Sequence, residues 1–153
     1  MKYNIFTVLN EGYSSFGIMF VYSILDRLDL RNIGNIYVYD TGLSENTKKR
    51  MSISDKIKIV DSGMTTKSDG KVHDESWQQN VYSKARLLKH CIQSQDHFLP
   101  TVMVDADCIF VEEFFDLINA SSVATLCERS MRGRVQGHQA TSTHIGSFFS
   151  INK

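Results

Sequence analysis

Four short, largely apolar runs, Tyr3 to Leu9, Asn35 to Asp40, Ile57 to Val60 and Thr101 to Val104, recur with helix-patterned stretches between them. Runs of this length belong inside a sheet covered on both sides, and intervening helices make the crossovers of a parallel sheet. Such crossovers are right-handed, so the pattern leaves an α/β fold whose sheet is mostly parallel at first. Ser14 to Leu28 is predicted as a helix, with apolar residues at Phe16, Met19, Phe20, Ile24 and Leu28 on the helical period. Ser44, three positions before Thr47, is the predicted cap of a helix through Met51. Gly63 to Ser76 is polar and glycine-bearing, a loop by composition, and a helix from Val81 to Ile92 leads to the fourth strand. Beyond it the pattern predicts a short helix over Val111 to Asn119 and strands at Val123 to Cys127 and Ile145 to Ile151. No internal repeat or low-complexity segment interrupts the series.

Composition narrows the class further. A chain of 153 residues suits a single domain, 1–153, burying roughly two-thirds of its unfolded surface. Seventeen basic residues cancel seventeen acidic ones, which removes any bulk field that would steer the protein to nucleic acid or an anionic membrane. Cys91, Cys108 and Cys127 are odd in number, widely spaced and set in apolar runs. That usage predicts reduced, packed thiols and a cytoplasmic location. No CxxC pair suggests zinc, and no apolar run reaches the roughly 18 residues of a membrane helix.

The fourth strand carries the chemistry. Thr101-Val102-Met103-Val104 ends on Asp105-Ala106-Asp107, two carboxylates separated by one small residue. A buried, unpaired carboxylate costs several kcal/mol even after relaxation, so something positive should face the pair. A hard cation such as Mg²⁺ or Mn²⁺ takes carboxylate oxygens and keeps positions open for phosphates. A strand followed by an Asx-turn with solvated carboxylates fits the same triplet. Ligands of open α/β sheets bind beyond the carboxyl ends of the strands. Asn10-Glu11-Gly12-Tyr13, Asp40-Thr41-Gly42-Leu43-Ser44 and Asp105-Ala106-Asp107 should therefore meet at one crevice.

Four segments in this order resemble GT-A glycosyltransferases, nearest to the glycogenin and lipopolysaccharide galactosyltransferase branch. They are Thr7-Val8-Leu9-Asn10-Glu11-Gly12-Tyr13 with the helix after it, Tyr39-Asp40-Thr41-Gly42-Leu43-Ser44, Ser83-Lys84-Ala85-Arg86, and Asp105-Ala106-Asp107. The resemblance spans residues 3 to 150 and implies a Rossmann-like three-layer α/β/α sandwich. It implies a metal-dependent transfer of a hexose from a UDP-sugar to an unidentified acceptor, with Mn²⁺ or Mg²⁺ as cofactor and retention as the usual stereochemistry. Thr7, Val8, Asn10 and Tyr13 match the segment that holds uracil and ribose, and Asp40 lies where the second strand tip approaches the base. Lys84 matches a basic residue near the phosphates, with Arg86 beside it. Asp105 corresponds to a ribose or metal ligand, Ala106 to a backbone contact with ribose, and Asp107 to a direct metal ligand. His144, in Thr143-His144-Ile145-Gly146-Ser147, stands where the family often has Asn in a turn facing the donor sugar. The family's usual C-terminal acceptor region, with its distal metal-binding His, has no counterpart in the sequence. A truncated or reduced chain, an oligomer or a partner domain is therefore expected.

Each residue also has a plainer role. Tyr13 has a packing role beside the stacking one; Asn10 and Asp40 have turn and capping roles; Lys84 and Arg86 are ordinary helix charges outside a site. His144 is equally a structural histidine, and His73, His90, His97 and His138 show no ligand spacing. Trp77 is expected to anchor the loop before the Lys84 helix, or to serve in a lid. Two other functions compete: a GT-A-like binding or assembly module without turnover, and a haloacid-dehalogenase-like phosphatase with Asp105 as nucleophile. The second wants Gly-Thr after the motif, where this chain has Cys108-Ile109.

Overall fold

The computed structural model describes residues 2–66, 75–95, 99–113, 123–125 and 149–151. The strand β1 (Tyr3–Leu9) leads through a 3₁₀ turn at Glu11–Tyr13 into the helix α1 (Ser14–Arg27). Next come β2 (Ile33–Asp40), α2 (Glu45–Met51), β3 (Ile57–Asp61), α3 (Glu75–Gln93) and β4 (Thr101–Met103). Two short strands, β5 (Val123–Thr125) and β6 (Phe149–Ile151), complete the described elements.

These strands form one six-stranded sheet in the order β3-β2-β1-β4-β6-β5. The pairs β1–β2, β2–β3 and β1–β4 are parallel, and β6 runs antiparallel to both β4 and β5. Four parallel strands flanked by helices make the expected α/β arrangement. The strand order reverses between β1 and β4, and such a switch point opens a crevice at the carboxyl ends of the two strands.

Side chains alternate across the central strands and build two apolar layers. Ile5, Leu9, Ile36, Val38 and Val102 pack with Phe20, Val21 and Ile24 of α1 and Met51 of α2. On the other face, Phe6, Tyr39 and Met103 pack with Leu87, Leu88 and Cys91 of α3. β1 is thus buried on both sides. The Tyr39 hydroxyl lies 2.9 Å from Nδ1 of His90, so His90, which has no role by spacing, secures α3 to β2. Burial pushes the Cys91 thiol up to about 11, which leaves it protonated and inert at neutral pH.

Several boundaries differ from the sequence pattern. α3 starts at Glu75, six residues before the expected Val81, because polar residues on its outer face hide the first turns from an apolar-periodicity reading. Trp77 accordingly lies within a helix and not in a loop. Residues 111–113 are not helical, so the helix expected from Val111 does not start there; 114–119 lie outside the described residues. Cys108 is exposed, against the expectation of a packed thiol, because it follows the turn that carries Asp107 outward; Cys127 lies outside the described residues. β2 begins two residues early, at Ile33. Among the described residues no helix is long and apolar enough to cross a membrane.

Gly17 lets α1 approach the end of β1: a Cβ there would collide with the Leu9 side chain, which is buried one residue before Asn10. Overpacking a closed contact costs roughly 1–3 kcal/mol. We expect Gly17→Val to lower unfolding free energy by about that amount in urea titration; an unchanged midpoint would show that Leu9 yields freely.

Candidate functional site at the strand tips

The parallel register brings the ends of β1, β2, β3 and β4 to one edge of the sheet. β1 and β2 are stitched together there: the Thr41 backbone N–H donates to Leu9 O at 3.0 Å, and that of Glu11 donates to Gly42 O at 3.2 Å. Glu11 accepts from the Ser44 N–H (2.8 Å), the Ser44 hydroxyl (3.0 Å) and the Thr47 hydroxyl (3.0 Å), which joins the β1 tip to the start of α2. Its pKa is lowered, chiefly by the Ser44 N–H bond. Ser44 is the α2 cap as expected, its oxygen accepting from Thr47 N at 3.2 Å. The role of Glu11 has no signal in the sequence, since its partners lie more than thirty residues away.

Asp40 is buried, and both its oxygens are used. Oδ1 accepts from the N–H groups of Gly42 (2.7 Å) and Leu43 (2.6 Å), and Oδ2 pairs with Lys48 at 2.8 Å. Gly42 makes this turn possible, with φ of 120° and Thr65 close against it. The carboxylate thus holds its own turn, the capping role open to it in the sequence. Burial raises its pKa, but the bonds from Lys48 and the two N–H groups outweigh that, and the net displacement is downward.

At the β1 tip a relay of donors runs inward. Asn10 Nδ2 donates to the Thr66 hydroxyl (3.3 Å), Thr66 to the Thr41 hydroxyl (2.9 Å), and Thr41 to Leu9 O (3.2 Å). The relay clamps the segment after β3 across the edge. Two buried atoms, Asn10 Oδ1 and Thr7 Oγ1, have no partner among the described residues. Exchanging the amide ends of Asn10 would still leave one unpaired. A buried polar atom without a partner costs about 1–3 kcal/mol, and such atoms mark places where a ligand or water completes the bonding. Val8 is half-buried against the α3 layer, and Tyr13 is 39% exposed, its ring 6.1 Å from that of Phe16. Tyr13 therefore offers an open face at the start of α1.

The β4 tip lies across the switch point. The Val104 N–H continues the ladder by donating to Phe6 O at 3.0 Å, and a turn follows, with Cys108 N–H donating to Asp105 O at 3.0 Å. Ala106 packs into the core beneath α1, while Asp107 is exposed. Lys84 reaches from α3 to Asp105, Nζ to Oδ1 at 2.5 Å, with the two side chains 28% and 26% exposed. Arg86 turns instead to Met64, Nη2 to Sδ at 2.7 Å. Of the candidate residues, Asp105, Ala106 and Lys84 thus meet at the β4 tip and Asn10 lies at the neighbouring β1 tip, whereas Thr7 is buried inside β1 on the face of Ile5 and Leu9, away from α3, and Asp40 sits one strand over. His144 lies outside the described residues, as do His73, His97 and His138.

The donor set at this crevice is carboxylate oxygen, which suits a hard divalent cation as two of its ligands. No group of three His, Cys, Asp or Glu side chains among the described residues is placed to hold a metal ion.

No protein-family model matches the chain, and no curated protein does. Solved structures do. The galactosyltransferase LgtC, solved with donor and acceptor sugar analogues, superposes with a TM-score of 0.60 at 11% identity over 97% of this chain and 57% of its own. The fold is that of a GT-A glycosyltransferase. The apo-form glycosyltransferase GlyE of Streptococcus pneumoniae TIGR4 gives 0.54 at 16% identity, over 99% of this chain and 34% of its own. The bifunctional glycosyltransferase WbbM gives 0.55 at 15% identity, over 83% and 23%. The chain thus spans little more than half the length of the GT-A protein LgtC.

The Asp40 turn makes acid stability a test of the GT-A strand edge. A carboxyl whose folded pKa is depressed contributes stability above its unfolded value near 4, and loses it as pH falls through the folded value. We expect Asp40→Asn to cost roughly 1–3 kcal/mol at pH 7 in urea unfolding, with the gap to the parent shrinking as pH falls below the unfolded carboxylate value near 4. A gap independent of pH would contradict the ionised role.

Proposed function

We propose that this chain is the nucleotide-sugar-binding part of a metal-dependent glycosyltransferase, moving a hexose from a UDP-sugar to an acceptor. The observation that carries the reading is the crevice between β1 and β4. The buried, unpaired Asn10 Oδ1 lies at the β1 tip, and the Asp105–Asp107 pair with Lys84 lies at the β4 tip. Its fold is shared with a galactosyltransferase solved with donor and acceptor sugar analogues.

In this reading Asn10 meets a polar edge of the nucleoside, because the bond it lacks is what such a ligand supplies. Tyr13 presents a ring face for base stacking. Val8 and Ala106 line the cleft with small apolar surface and backbone. Asp40 acts at one remove, by fixing the turn beside the β1 tip. Asp105 and Asp107 would hold Mn²⁺ or Mg²⁺, which offsets negative charge developing on the diphosphate leaving group. Lys84 adds a second positive charge on the same side. The residues that meet the acceptor are not among these, and His144 is proposed only as a donor-sugar contact.

A second reading, a binding module that keeps the GT-A fold without turnover, is favoured by one observation: Lys84 already neutralises Asp105. Calorimetric titration with UDP, with Mn²⁺ and then with excess chelator, separates the readings. The glycosyltransferase binds UDP only with metal, and binding without metal or none at all favours the module. Release of phosphate from an aryl phosphate would instead support the phosphatase reading of Asp105.

Two substitutions locate the site. Asp107→Ala removes an exposed carboxylate, so we expect metal-dependent UDP binding to vanish while thermal stability stays within error; retained binding would refute the metal assignment. Tyr13→Ala should weaken UDP by roughly 1–3 kcal/mol if the ring stacks on the base, and leave it unchanged if the ring only packs on Phe16.

A further inference from the structure

The acidic side chains at the strand tips are in three different states. Asp40 uses both oxygens within its own turn and on Lys48. Asp107 is exposed and has no partner among the described residues. Asp105 is held by Lys84, the two side chains each about a quarter exposed. A divalent cation arriving alone would therefore meet one free carboxylate, one carboxylate already neutralised, and an ammonium group beside it. Like charges at such separation repel, and partial burial weakens the screening that water provides. Mg²⁺ and Mn²⁺ also want near-octahedral oxygen coordination, and two carboxylates leave most positions to other donors.

We infer that Lys84 is a positioning residue that holds Asp105 until a nucleoside diphosphate arrives, so that the cation is taken up with the diphosphate and not before it. The inference rests on the nucleotide-sugar reading of the crevice. The charges balance on both sides of the exchange. Beforehand, Lys84 and Asp105 neutralise each other. Afterwards, the cation faces the two carboxylates and the phosphates, and the Lys84 ammonium has the anionic diphosphate as its new partner. Lysine suits such a hand-over because its charge is compact and sits on a flexible stem, unlike the rigid fork of arginine. The position of Lys84 within α3 supports it, since the helix is anchored by Leu87, Leu88 and Cys91 one turn further on and need not move when the side chain does. A purely structural tie between α3 and β4 would make the opposite forecast, because cutting it loosens Asp105 and weakens every ligand alike.

The test is Mn²⁺ binding without nucleotide, read as the loss of free-ion signal in electron paramagnetic resonance. Lys84→Met keeps the apolar stem and removes the charge; Lys84→Arg keeps the charge. We expect Lys84→Met to bind Mn²⁺ alone at least tenfold more tightly than the parent, and Lys84→Arg to bind it no more tightly. With Mn²⁺ present, Lys84→Met should bind UDP less tightly than the parent. Mn²⁺ binding to Lys84→Met that is equal to or weaker than the parent's overturns the inference. So does a parent that holds Mn²⁺ as tightly without UDP as with saturating UDP. Should circular dichroism show Lys84→Met unfolded, Lys84→Gln takes its place with the same two outcomes. A parent that binds no UDP contradicts the nucleotide-sugar reading, whereas the titration with Mn²⁺ alone reads Lys84 independently.

Discussion

Everything at the candidate site depends on β1 being buried on both faces and paired on both edges. Its parallel ladders to β2 and β4 set the register by which Leu9 stands beside Asp40 and Phe6 beside Met103. A slip of one residue would turn every side chain of β1 to the opposite layer, exchanging Ile5 and Leu9 with Phe6 and Val8. Two separate apolar layers forbid that slip. The same register delivers Asn10 and Asp105 to neighbouring strand ends at the point where the strand order reverses. The core therefore specifies the crevice before any polar contact is made.

Polar contacts then hold the edge open in a defined shape. Glu11 and Asp40 each tie a strand end to the loop or helix beside it, and the Asn10–Thr66–Thr41 relay draws in the segment after β3. These groups satisfy each other almost completely. Among the described residues, the buried side-chain atoms left without a partner are Asn10 Oδ1, at the β1 tip, and Thr7 Oγ1, inside β1. The contrast separates the carboxylates as well. Asp40 is structural because its partners surround it, and Asp107 is available because nothing described does.

Much of this could be read from the residues, and the exceptions have physical causes. β1, α1 and the capped α2 follow from apolar period and the Ser44 cap, which act over a few residues. The early start of α3 is hidden because residues 75–80 are polar apart from Trp77, and a single apolar residue gives no helical period to tell them from a loop. Cys108 sits in an apolar run, yet the turn closed by its own N–H onto Asp105 carries it outward. The Asp105–Asp107 pair was conspicuous as a motif, but its partner was not. Lys84 is twenty-one residues before Asp105, and its contact exists only once α3 crosses the sheet. Likewise, sequence placed Asp40 at a strand tip without revealing that the turn consumes its carboxylate.

The fold is shared with glycosyltransferases at 11–16% identity, a level at which shape persists while side chains at the site are free to differ. The central claim is therefore local: a nucleoside diphosphate and a divalent cation meet between β1 and β4. Backbone amide NMR of the labelled chain titrated with UDP and Mg²⁺ tests it most directly. The account predicts shifts concentrated at Asn10, Lys84 and the 105–108 turn, with β3 and the far end of α1 unchanged. Shifts confined to other elements, or none at saturating ligand, would contradict it.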